Sequence, residues 1–130
     1  MEKVKRFEDL HVWQKSREFS KDIHQKFKSK SAFEERALTN QIIRSSGSIM
    51  DNIAEGFERG GNKEFLQFLW ISKASAGESR SQLYRAFDCE MIKESEFTIL
   101  KQKVELLSVS LYRLINQIKE SEFKGQKFKS

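Results

Sequence analysis

Glu8 and His11 stand three residues apart, the spacing with which carboxylate-rich helical bundles hold a pair of metal ions. Such a centre needs a second Glu-x-x-His and two further glutamates projecting inward from other helices. The one other histidine, His24, has Lys21 three residues before it, so no metal ligand set is expected and His24 reads as a surface or boundary residue. Cys89 is the single cysteine and has no activating pair in sequence, which predicts a buried, inert thiol. The run Gly56-Phe57-Glu58-Arg59-Gly60-Gly61 lacks the spacing and the preceding strand of a phosphate loop, and its glycines read as a helix stop. No serine, histidine and carboxylate set stands out, so neither a catalytic residue nor a cofactor is expected. What remains is electrostatic: Lys73 and Arg80 lie on one side of a helical pattern near Gly77 and Tyr84. A cation there is either an interface ion pair or a phosphate contact, and in a cyclic assembly each cation is repeated into a ring able to hold a polyanion.

The elements that position these residues are helices. The chain has 130 residues, eleven Phe, no Pro, 38% hydrophobic and 33% charged residues, the balance of one charged-surface helical domain. Leu10, Trp13, Ile23 and Phe27 recur at helical spacing after Asp9, a candidate N-cap; Ser31-Ala32-Phe33-Glu34 fits a capping box; Asn62 and Ser95 follow as further caps. In the last helix Phe97, Leu100, Val104, Leu107, Leu111, Leu114 and Ile118 alternate spacings of three and four. The pattern predicts an all-α, antiparallel, up-down-up-down four-helix bundle, with residues 1–8 as an N-terminal arm and helices over about 9–28, 31–59, 62–92 and 95–119. Residues 120–130 read as a basic flexible tail, in which Lys124, Lys127 and Lys129 are candidate nucleic-acid contacts.

On a helical wheel at about 100° per residue, Leu38, Ile42, Ser46, Ile49, Ile53 and Gly56 share one arc, with Ser45 at its edge and Arg44, Asp51, Glu55 and Glu58 opposite. Small residues on a packed face let backbones approach closely. Ser72, Ala76 and Ser79 form a matching band, so the waists of helices two and three are expected to touch. Ile43, Met50, Ala54 and Phe57 widen the apolar surface beside that arc, and Trp70 and Ile71 point away from the seam. Those six residues are the expected interface of a homo-oligomer.

Net charge is +5, from 24 Lys and Arg against 19 acids, and a nucleic-acid partner is compatible with that balance. The absence of a membrane-length apolar run and of a leader-like N-terminus argues for a chain without a membrane partner, in the cytoplasm.

FEDLHVWQKS (residues 7–16), QIIRSSGSIMDNIAEGFERGGNKEFLQFL (residues 41–69) and the spacing of Glu78, Gln82 and Leu83 resemble the bacterial four-helix-bundle proteins known as the 23S ribosomal RNA intervening-sequence family. That family includes the accessory proteins of diversity-generating retroelements. The resemblance implies a homopentameric barrel and, for the retroelement branch, a basic surface that binds RNA or DNA and a reverse transcriptase. Where the family reads Arg-Arg before the small residues, this chain has Ile43-Arg44, one cation fewer; where a proline precedes the asparagine motif it has Met50-Asp51, one acid more. The function expected is a non-enzymatic, oligomeric nucleic-acid-binding scaffold; the alternative is a structural or protein-binding homo-oligomer.

Overall fold

The computed structural model describes residues 4–30 and 32–129, with side chains as far as residue 122. A 3₁₀ turn, Phe7–Asp9, leads into four helices: α1 His11–Phe27, α2 Phe33–Glu58, α3 Asn62–Asp88 and α4 Glu94–Lys129.

The helix ends show which local signals operate. Asp9 closes the 3₁₀ turn instead of capping α1, and Leu10 takes the N-cap position without a side-chain bond. The Gln14 amide reaches back to the Glu8 carbonyl at 2.9 Å, and Phe7 meets Trp13 edge-on at 5.2 Å. Val4 and Phe7, in the segment expected as an N-terminal arm, pack on the core. Ala32 stands at the N-cap of α2 with no side-chain cap, while Ser31 lies outside the described residues. Asn62 is the first residue of α3 and not its cap, that position belonging to Gly61.

Two helices end through a left-handed residue. Gly60, at φ 87°, ends α2 as a glycine stop should. At the end of α3 the same position is held by Glu90, at φ 61°. Its N–H donates to the Phe87 carbonyl at 3.0 Å and that of Met91 to Ala86 at 2.9 Å, the paired bonds of a Schellman closure. This turn ends α3 at Asp88, short of the expected residue 92, and buries Met91 and Ile92 in the core. Cys89 sits in it exposed, correcting the expectation of a buried thiol.

Helix α4 begins with Glu94, one residue before the expected cap Ser95. The Glu96 carboxylate accepts the Lys93 N–H at 2.9 Å and pairs with the Lys26 ammonium of α1. These two donors, Lys26 first and the Lys93 backbone second, hold the Glu96 carboxyl below the ordinary carboxylate range. At its other end α4 runs to Lys129, so the segment expected as a tail continues the helix as far as that residue.

Helices adjacent in sequence are adjacent in space, α4 closes back on α1 less extensively than the others pack, and among the described residues no backbone of one helix comes within 8 Å, Cα to Cα, of its diagonal neighbour. Neighbours run antiparallel: Thr39 bonds Lys30 and Gly47 faces Ser20 between α1 and α2, while Asp22 pairs with Lys103 and Lys26 with Glu96 between α1 and α4.

The α2–α3 waist follows from its small residues. Ser72 donates to the Ile49 carbonyl at 2.8 Å, the Ser45 and Ser79 hydroxyls are 2.8 Å apart, and Ser48 and Ser75 are 3.1 Å apart. Ser46, on the same buried face, bonds the Ile43 carbonyl of its own helix at 3.1 Å. The closest approach lies at Gly56, where a Cβ would fall 2.5 Å from that of Phe68. In α4 the buried positions are Leu100, Val104, Leu107, Leu111, Ile115 and Ile118, with Phe97 and Leu114 only half-buried.

Candidate nucleic-acid interface

The amphipathic pattern that buries Leu69, Ala76 and Leu83 of α3 leaves Trp70, Lys73, Arg80 and Tyr84 along the edge facing α4. On α4, Lys101, Glu105, Tyr112 and Lys119 stand one residue after or three before seam positions, and the antiparallel register sets them opposite. Trp70 meets Tyr112 edge-on at 6.3 Å, with the Lys119 ammonium 5.2 Å from the Trp70 ring centre. Next along the groove, the Lys73 ammonium lies 5.9 Å from the Tyr112 ring centre. Then come Arg80 and Glu105, 3.9 Å apart. Lys101 follows, 3.4 Å from the same carboxylate and 5.9 Å from the Tyr84 ring centre. Tyr84 leans edge-on against Phe97 at 5.0 Å, and Phe97 stacks on Phe87.

The result is a row of rings and cations, spanning about 21 Å from Trp70 to Tyr84 at a helical rise of about 1.5 Å per residue. The three polar-edged rings are open to solvent, Trp70 at 40%, Tyr84 at 45% and Tyr112 at 49% exposure. Gly77, midway along α3, has no atom within 4 Å of where a Cβ would stand, so the centre of the row is open. Four cations face one acid, Glu105, which Arg80 and Lys101 share; Lys73 and Lys119 make no ion pair among the described residues. Exposed rings offer stacking surfaces and the lysines offer mobile charge, the combination with which proteins hold single-stranded nucleic acid.

Of the residues singled out in the sequence, Lys73 and Arg80 lie in this row, Arg80 beside Glu105 of α4 in the same chain. The side chains of Lys124, Lys127 and Lys129 lie outside the described residues. Tyr112, Lys101 and Lys119 were missed because their place depends on how α4 registers against α3. The available signal was heptad spacing: Glu105, Tyr112 and Lys119 each follow a seam residue, Val104, Leu111 and Ile118. Among the residues expected at an oligomer interface, Ile43 and Phe57 are partly buried against the core and Met50 and Ala54 are half-buried, whereas Trp70 and Ile71 are exposed. Apolar side chains more exposed than these two stand on α4 beside the α1 groove: Ile99, Leu106 and Val109. The Glu8 carboxylate lies 3.3 Å from the Arg6 guanidinium, and His11 is exposed at the mouth of that groove.

The model of the 23S rRNA-intervening sequence protein family matches residues 8–121. The chain belongs to this family. Its matched span takes in all of α1 to α3 and α4 through residue 121, so the α3–α4 row lies wholly within the family domain. Among solved structures, the family chain is similar to a crystal structure of a protein with unknown function from the S23 ribosomal protein family of Bacteroides thetaiotaomicron VPI-5482. Identity is 25% and the TM-score 0.74, over 81% of this chain and 95% of that one. No curated protein matches. No helix among the described residues is long and apolar enough to cross a membrane.

Proposed function

We propose that this protein is a non-enzymatic scaffold that holds single-stranded RNA or DNA along the α3–α4 face. The observation that carries the reading is the alternation of Trp70, Tyr112 and Tyr84 with Lys119, Lys73, Arg80 and Lys101 along one face. Bases stack on the rings and phosphates meet the lysines, without a donor pattern that would select one sequence. With three cations net of Glu105, the logarithm of affinity for a single strand falls with log salt at a slope of about −2 per chain. Fluorescence anisotropy of a labelled mixed-sequence strand across a salt series tests this. Lys73→Gln and Lys119→Gln should each reduce the slope by about 0.7; a salt-independent or absent anisotropy change rejects the reading.

A second reading concerns assembly, and Ile99, Leu106 and Val109, exposed together beside the α1–α4 groove, favour it. Apolar surface of this kind is what copies of one chain bury against each other. The family resemblance implies five copies, and ring repetition would multiply the cationic row. Light-scattering mass of the wild type and of Leu106→Ser/Val109→Ser tests it: a smaller helical particle from the variant supports the interface, and an unchanged mass removes it. A reverse transcriptase or another protein partner belongs to this reading as the cargo such a scaffold would present.

A further inference from the structure

On the opposite edge of α3 the antiparallel register brings a different set together. Gln41 and Arg44 of α2 face Glu78, Ser81, Gln82 and Arg85 of α3 across a polar cleft of about 500 Å³. The floor is Gln82, only 7% exposed. Its carbonyl oxygen accepts the Ser45 hydroxyl at 2.6 Å, and Ser45 is in turn 2.8 Å from Ser79, so the buried hydroxyls fix the amide's orientation. The Gln82 amide nitrogen makes no hydrogen bond among the described residues, and as no buried side-chain nitrogen or oxygen there lacks a partner, this one is open to the cleft. A donor held in a fixed orientation and open to the cleft is available to an acceptor bound there.

The walls supply the charge. Arg85 donates to the Gln41 side-chain oxygen at 3.0 Å, which holds its guanidinium at the mouth, and it pairs with no carboxylate among the described residues. Among the described residues Arg44 makes neither an ion pair nor a hydrogen bond, and the Ser81 hydroxyl is likewise unengaged. Among the described residues Glu78 is the one acid of the cleft and makes no ion pair. Two guanidinium groups, an amide and a hydroxyl are donors from two helices, more than a planar carboxylate can satisfy and well suited to a tetrahedral oxyanion. We propose that the α2–α3 cleft between Arg44 and Arg85 is a binding site for a single phosphate group, seated on the Gln82 amide. Arg44 comes from α2 and Arg85 from α3, so the cleft has a cation on each wall. This site shares no residue with the α3–α4 row and stands or falls separately from the scaffold reading.

The test is a titration of the full chain with inorganic phosphate at constant ionic strength, followed by proton–nitrogen NMR of the Gln82 amide and the arginine Nε–H groups. Saturating shifts of Gln82, Arg44 and Arg85 are expected. Arg44→Gln or Arg85→Gln, both at exposed positions and so folding normally, should weaken binding about tenfold, while Glu78→Gln should tighten it. A short strand with a 5′-phosphate, compared with its 5′-hydroxyl counterpart, distinguishes the sources. Displacement of inorganic phosphate by the first alone makes a strand end the ligand, and displacement by neither makes it a free phosphate. Shifts that rise linearly without saturation, or an affinity untouched by both arginine variants, overturn the proposal.

Discussion

Gly56→Ala adds one methyl group to a helix interior, where alanine is worth about 1 kcal/mol over glycine on propensity alone. Position 56 should nevertheless lose stability. The new Cβ would stand 2.5 Å from the Phe68 Cβ and 3.2 Å from ring carbons of Phe65 and Phe68. The nearest of these atoms sits at the root of its side chain, so no rotamer change removes the clash and α2 and α3 must separate. Overpacking of this kind costs typically 1–3 kcal/mol; with the propensity gain subtracted, a net loss of about 1 kcal/mol is expected. For a domain of this size that lowers the melting temperature by roughly 3–5 °C. Gly77→Ala is the matched control, in the same bundle but with nothing within 4 Å of its Cβ. It should raise stability by about 0.5–1 kcal/mol. Both variants are compared with wild type by thermal and urea melts followed at the helical circular dichroism band, at one protein concentration. A Gly56→Ala protein as stable as Gly77→Ala would refute the close approach of α2 and α3.

Ala76→Leu, at a residue 1% exposed in the same waist, should cost about 1–3 kcal/mol, read as a lower urea midpoint with an unchanged slope. Glu90→Gly should stabilise by about 0.5–1 kcal/mol, because glycine occupies φ 61° without the strain a side chain brings there; a destabilised variant would argue against the Schellman turn. For Glu96 the folded carboxyl lies below its unfolded value. Its contribution is therefore complete above the unfolded pKa of about 4.3 and is lost as pH falls through the folded value. Glu96→Gln should consequently be less stable than wild type near neutrality and converge on it in acid; a gap independent of pH would contradict the pairing with Lys26.

The readability of this chain varies with how local the governing physics is. The small residues of α2 and α3 were legible because burial follows the 3.6-residue period: Ser45, Ser46, Ser72, Ala76 and Ser79 all lie at the contact. The stop at Gly60 was legible for a comparable reason, glycine being the residue that takes a left-handed turn at least cost. Glu90 does the same job against its intrinsic preference, under the pull of Met91 and Ile92 into the core, and nothing local announces it. In α4 the expected seam holds at Leu100, Val104, Leu107, Leu111 and Ile118, while Ile115 is buried where Leu114 was expected and Leu114 and Phe97 are only half-buried. Both candidate sites join residues from two helices. Lys73 and Arg80 could be seen on α3, but Tyr112 and Lys119 opposite them, and Arg85 opposite Arg44, depend on inter-helix register, which no single helix encodes.

The scaffold reading is tested most directly at Trp70, whose ring lies in the row with Tyr112 and Lys119. In a Trp13→Phe background Trp70 is the sole tryptophan, and its emission can be followed as single-stranded RNA or DNA is added at low salt. The account predicts saturable quenching with the anisotropy-derived affinity, reversed by added salt and weakened by Tyr112→Ala. Emission that stays constant while the strand binds, or a strand that does not bind at all, would contradict it.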